Sequence, residues 1–290
     1  METTIGILFG FIAMLGFGLG NAIAKVPIQK IGSEKTIFYR NVIISILLFL
    51  ILIFFGQDAV FSTKYILLAF LIAGIGYIPL LFFYKALNLG KVGVVSPVAN
   101  SSAIFTVLFS IIFFYETISI DQGLAIAIII LGIILISLNP KDLKNSQILK
   151  ISSGVPYALI TSVLWGLVFF LWKIPVNVLG PILTVLIIEF GTMLCSATHI
   201  YVTKKDFRLP NKRILKYLFF ISLGGAIGGL FFNMGIQRAN VSIVSPIAAA
   251  APLVATLYGK FVFKEKISKL QYLAIFIIII GVVLVSYLSK

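Results

Sequence analysis

Few side chains in this 290-residue sequence could do chemistry, and those that could are spaced for helices. Glu189, Thr192, Ser196 and His199 follow one another at intervals of 3, 4 and 3, which places all four on one helical face. Such a face points away from lipid. Glu189 is the one acidic residue of nine that falls close to the middle of an apolar stretch, where a charge costs at least about 3 kcal/mol on insertion scales. It reads by default as functional, with a structural ion pair as the competing reading. Arg40 is the partner that the sequence offers. Free of Arg40, the carboxyl could take up and release a proton or hold a substrate; paired with it, the carboxyl stays ionised.

Other polar residues recur at helical spacing: Gly18, Asn21 and Lys25; Tyr77, Tyr84 and Asn88; Ser96 and Asn100; Thr161, Trp165 and Trp172; Gly225, Gly229, Asn233 and Gln237; Ser245, Pro252 and Thr256. Any one stripe could equally serve interhelical packing. Together they suggest a solvated cavity whose substrate contacts come from Asn21, Tyr77, Tyr84, Ser96, Asn100, Trp165, Glu189, Asn233 and Ser245. Tyr77, Tyr84 and Trp165 could enclose an amphipathic or cationic ligand, while Trp172 reads better as part of an interfacial aromatic belt. Pro97 and Pro246 each strip the carbonyl four residues earlier, Gly93 and Ser242, of its donor, so both are expected as bends or hinges around that cavity.

The elements that must hold these residues are membrane helices. Hydrophobic residues make up 60% of the chain and charged ones 11%, far from a soluble domain. Ten apolar runs of about the 20 residues that a bilayer span needs are read at 3–24, 36–55, 65–88, 92–114, 121–138, 153–173, 180–202, 214–236, 241–263 and 270–288. Lys25-Val26-Pro27, Gly56-Gln57-Asp58, Asn139-Pro140, Lys173-Ile174-Pro175 and a basic segment from Lys204 to Lys216 punctuate them. The runs are too long and too continuously apolar for barrel strands. The fold class expected is an all-α polytopic membrane protein. The start, Met1-Glu2-Thr3-Thr4, lacks the basic region of a signal peptide, so the first run is read as a retained helix.

An internal repeat organises the ten runs into two inverted five-helix units, residues 1–140 and 150–290. A shift of 149 carries Val95-Ser96-Pro97 onto Val244-Ser245-Pro246, Glu116 onto Glu265, Ile118-Ser119 onto Ile267-Ser268, and Gln122 onto Gln271. Earlier in each unit a shift of 148 matches Lys25 with Lys173, Pro27 with Pro175 and Gly32 with Gly180. The first shift sets Arg40 opposite Glu189, the second Asn41. Five spans per unit is an odd number, so the second unit enters from the other side of the membrane, the arrangement of secondary transporters. Of the 23 Lys and Arg residues, 19 fall in alternate connections or at their helix edges, which by the positive-inside rule places those connections in the cytoplasm and both termini outside. The net charge of +14 is therefore read as orientation charge, not as a nucleic-acid surface.

The repeated unit has an aromatic-Gly start, a Lys seven residues after the Gly (Gly18 to Lys25; Gly166 to Lys173), a helical hairpin, and Glu-x-Ile-Ser-x-x-x-Gln ahead of a final apolar helix with a central Gly. It resembles the EamA unit of the drug/metabolite transporter superfamily over nearly the whole chain. The resemblance implies a ten-helix carrier in the cell membrane that most often exports amino acids or other small metabolites. The chain departs from the pattern at Phe17, where Trp is usual, and at Ala103, where the second unit keeps Pro252.

The expected function is thus a secondary transporter moving a small metabolite by alternating access, with proton coupling open and a channel or scramblase-like pore as the alternative. An enzyme is not expected: His199 is the only histidine, and HExxH, GxSxG and phosphate-loop patterns are missing. Cys195 is alone, so neither an intrachain disulfide nor a Cys-based zinc site is available, and no metal or cofactor is expected. Glu116, Glu265, Lys25 and Lys173 read as structural, the lysines as snorkelling helix ends, with Ser119 and Ser268 as helix caps. The fifth and tenth helices carry no polar face and are read as peripheral, facing the lipid bilayer and available for a homodimer.

Overall fold

The computed structural model describes residues 1–57, 60–137, 150–262, 264 and 267–289. Asp58, Asn139-Pro140, Glu265 and Lys290 lie outside the described residues. In chain order the helices are α1 (Glu2–Ile31), α2 (Ser33–Phe55), α3 (Thr63–Leu89), α4 (Val92–Asn100), α5 (Ser102–Phe114), α6 (Ile120–Ser137), a single 3-10 turn (Ile151–Ser153), α7 (Val155–Leu179), α8 (Pro181–Val202), α9 (Lys212–Arg238), α10 (Val241–Ala249), α11 (Ala251–Val262) and α12 (Lys269–Leu288). Counting α4–α5 and α10–α11 as single interrupted spans, nine of the described helices have membrane length and composition, and α6 is a shorter apolar tenth. This is a multi-pass, all-helical membrane protein.

Two expected boundaries move. Neither Pro27 nor Pro175 stops its helix; α1 and α7 continue to Ile31 and Leu179. The stops are Gly32 and Gly180, whose φ values of +85° and +77° suit glycine and not residues with a Cβ. A proline removes one donor near the end of a helix, whereas a left-handed residue turns the chain out of it. The expected hinges shift as well: Pro97 and Pro246 sit within α4 and α10, and the interruptions fall four residues later, at Ser101 and Ala250. There the ladder tightens, with Ile104 N–H donating to the Ser101 carbonyl at 3.0 Å and Leu253 N–H to that of Ala250 at 2.9 Å. Gly93, deprived of its donor by Pro97, lines a small cavity of about 100 Å³ with Ser96, Pro97 and Thr256.

The most extensive helix packings all join one half to the other: α1 to α9, α6 to α12, α3 to α7 and α2 to α8. The repeats therefore share one interior. Along α1 and α9 glycines bring the backbones together, and a methyl on Gly16 would lie 2.6 Å from the Gly228 nitrogen. Between α6 and α12, Gly132 receives Ile278 and Gly281 receives Ile129. The faces of these two helices that permit close approach are thus occupied within the chain, while Leu124, Leu131, Leu273 and Phe276 are exposed on the outer side.

Each connection near a stop glycine is strapped by the other half. Gln57 bridges the α7–α8 turn, donating to the Leu179 carbonyl at 2.5 Å and accepting from Ile182 N–H at 2.7 Å. The corresponding strap across the α1–α2 turn is ionic: Lys35 to Asp206 at 2.7 Å and Lys205 to Glu34 at 3.0 Å. The hydrogen bond from Lys35 holds the Asp206 carboxyl below its ordinary range.

Candidate functional site

Arg40 and Glu189 meet at the centre of the molecule. Both are buried, at 9% and 7% exposure, and Arg40 Nη1 donates to Glu189 Oε2 at 3.2 Å. The same nitrogen donates to Asn41 Oδ1 at 2.6 Å, and Asn41 Nδ2 donates to the Glu189 backbone carbonyl at 3.2 Å. Gly225 leaves room for the guanidinium, since a methyl there would lie 2.6 Å from Arg40 Nη2. Hydrogen bonding to Asn41 and to the carboxylate offsets the desolvation that two buried charges cost.

The pair forms part of the wall of a cavity of about 110 Å³ at the junction of the two halves, room for several waters or part of a small solute. Asn21, Tyr84, Asn100, Trp165 and Ser245, all expected as substrate contacts, line it together with Arg40, Glu189 and Thr192. Both helix interruptions border it, through Asn100 and Ser102 in the first half and Ala248 and Ala249 in the second. Trp172 is a correction. It belongs to the cavity wall and not to an interfacial belt: it is buried, packs on Phe169 and Phe232, and its indole N–H has no hydrogen-bond partner among the described residues. Phe169, Phe232 and Phe17 complete the aromatic wall. Sequence spacing could have found Phe169 beside Trp165 and Trp172, but aromatics on an apolar helix carry no mark of which face is inward.

Three expected contacts lie elsewhere. Tyr77 OH is bound to His199 Nδ1 at 2.6 Å. Ser96 borders the small cavity beside Pro97 and receives Asn100 Nδ2 on its carbonyl at 2.8 Å. Asn233 donates to the Pro181 carbonyl at 3.1 Å, which ties α9 to the start of α8. Tyr77 and Asn233 tie helices together, and their spacing alone could not distinguish that from a binding face.

A model of the EamA-like transporter family matches residues 4–138 and again 152–287. The chain belongs to that family. An uncharacterised transporter of Helicobacter pylori strain J99 is 23% identical over 267 residues, spanning 88% of this chain and 87% of that protein. An uncharacterised protein of Methanocaldococcus jannaschii is 31% identical over 139 residues, 48% of this chain but 99% of that one, so a protein about one repeat long exists on its own. A crystal structure superposes with a TM-score of 0.75 at 16% identity, covering 98% of this chain and 99% of the other, which is a likeness of fold.

The motif residues of this EamA-like transporter have structural roles. Ser119 and Gln122, and likewise Ser268 and Gln271, form reciprocal capping boxes at the starts of α6 and α12. Glu116 acts on the other half. Its carboxylate accepts from Val241 N–H at 2.8 Å and Ser242 N–H at 2.9 Å, capping α10 in the other half, where the helix dipole favours an anion. Lys173 Nζ caps the other side of that junction by donating to the Ile236 and Ala239 carbonyls at the end of α9. Lys25, its equivalent, donates to the Gly90 carbonyl at 2.7 Å at the end of α3. The lysines are helix C-caps from a neighbouring span, not snorkelling ends.

Proposed function

We propose that this EamA-like transporter is a secondary carrier that moves a small zwitterionic metabolite of the amino-acid type, outward, by alternating access. The observation that carries the reading is the Arg40–Glu189 pair on the wall of an aromatic-lined cavity between inverted repeats. Opposite charges a few ångströms apart complement a solute bearing its own carboxylate and ammonium: Arg40 takes the carboxylate, Glu189 the ammonium, and neither charge is left bare when they separate. Asn21, Tyr84 and Ser245 line the same space, and the indole N–H of Trp172 supplies a further donor. The aromatic wall favours an apolar side chain. Interrupted spans beside a site at the repeat interface are what alternating access uses elsewhere.

On release of the solute the Glu189 carboxylate either returns to Arg40, which gives uncoupled exchange, or takes a proton, which couples transport to pH. The test is a panel of amino acids and related metabolites in proteoliposomes, with and without a pH gradient. Saturable uptake accelerated by solute on the opposite side supports the carrier. Flux that neither saturates nor exchanges would make the protein a pore, and saturable transport confined to sugars or nucleotide sugars would remove the amino-acid reading.

A further inference from the structure

Along the outside of the α1–α9 seam runs a groove of about 750 Å³. Its floor is made where Gly16 and Gly224 bring the two backbones together. Leu15, Leu19 and Ile23 of α1 form one wall, Phe220, Leu223 and Ile227 of α9 the other. At one end stand Arg213 and Lys216, both exposed, and neither forms an ion pair or hydrogen bond with any described residue. The two cations are three residues apart and so share the α9 face that continues into the wall.

The length of the groove relates it to the bilayer. From Lys216 to Ile227 is eleven helical rises, about 16 Å, and half of the hydrocarbon core is about 15 Å. An apolar channel one leaflet deep, with two unpaired cations at its headgroup end and no charge further along, is complementary to a single amphiphile: an acyl chain below and a phosphate above. We propose that this groove is a binding site for an anionic phospholipid, one chain lying between α1 and α9 and its headgroup held by Arg213 and Lys216. The site is separate from the central cavity and does not depend on the transport reading.

The intact protein, purified in mild detergent and given equal amounts of phosphatidylglycerol and phosphatidylcholine of the same chain length, is examined by native mass spectrometry. One phosphatidylglycerol retained in preference to phosphatidylcholine is expected. The R213Q/K216Q pair should bind it about 30-fold more weakly, at roughly fivefold per cation, without a change in melting behaviour in lipid-free detergent, because neither side chain pairs with any described residue. Leu19→Trp, which fills the groove and leaves both cations in place, should also lose the lipid. Equal retention of the two lipids overturns the proposal, as does a double variant that binds phosphatidylglycerol like the parent. Displacement of the lipid by millimolar inorganic phosphate overturns it too, since the site would then recognise an anion and not a lipid.

Discussion

Arg40 and Glu189 lie 149 residues apart, one of the two offsets of the repeat, and they touch, with Nη1 and Oε2 separated by 3.2 Å. One residue along, Asn41 reaches the Glu189 carbonyl across 148 positions, the other register of the repeat. Only residues beside a two-fold axis can meet their own equivalents, so the pseudo-two-fold axis passes between α2 and α8 at this pair.

Removing one member of the pair should harm both folding and transport. Arg40→Met leaves a carboxylate without its partner and is expected to cost about 3–5 kcal/mol, while Glu189→Gln keeps the shape and removes the charge. The double variant should recover much of the melting temperature yet transport at least tenfold less than the parent in liposomes. Full, pH-independent transport by Glu189→Gln would sink the functional reading of this residue.

Trp172→Phe keeps an aromatic ring against Phe169 and Phe232 and deletes the unpaired N–H together with part of the ring. The KM for the transported solute should rise by up to about tenfold, the worth of one hydrogen bond, while any fall in melting reports the lost ring volume. A lowered melting temperature at unchanged KM would mean that the indole serves packing alone.

Glu116→Ala removes the cap that the first half places on α10. A loss of about 1–2 kcal/mol is expected, read as a fall in melting temperature that Glu116→Gln partly restores through one remaining acceptor. No change with either variant would show that water caps α10 equally well.

Gly16→Ala sets a methyl 2.6 Å from backbone nitrogen and should cost about 1–3 kcal/mol by overpacking the α1–α9 seam. Gly74→Ala, in α3 with open space around it, should be neutral or stabilise by up to about 1 kcal/mol. Equal melting of the two variants would contradict the close approach.

The two straps should answer differently to acid. Because the Lys35 hydrogen bond lowers the Asp206 pKa, that strap contributes at neutral pH and fades only as the pH falls through the lowered value, below the ordinary 3.8 of the free carboxyl. Limited proteolysis of the Thr203–Asn211 connection should therefore be faster in Asp206→Asn than in the parent at pH 7, the two converging in strong acid. High salt should narrow the difference as well, whereas the Gln57 strap on the α7–α8 turn contains no ion to screen.

Most of this architecture was legible in the sequence because apolar runs, an odd repeat and the offset of 149 are all periodic signals. One offset offered Arg40 and the other Asn41 as neighbours of Glu189, and both touch it, since near-equivalence and proximity coincide beside an axis. Local stops were misread where proline was given more weight than glycine: Pro27 and Pro175 look like breakers, but Gly32 and Gly180 are the residues that leave helical backbone. Lys25, Lys173 and Glu116 were recognised as structural, yet their partners lie on other spans, and nothing within a stretch of sequence says which carbonyl or N–H will be brought to it. The same holds for Tyr77 and Asn233, whose polar spacing fits a cavity wall and whose partners make them helix ties.

The interlocking of the halves also sets a timetable for synthesis. The partner of α1 is α9, which ends at Arg238, so at 5–20 residues per second about 10–40 s separates the emergence of the first helix from that of its mate. Throughout that interval the glycine face of α1 has lipid or translocon as its only company.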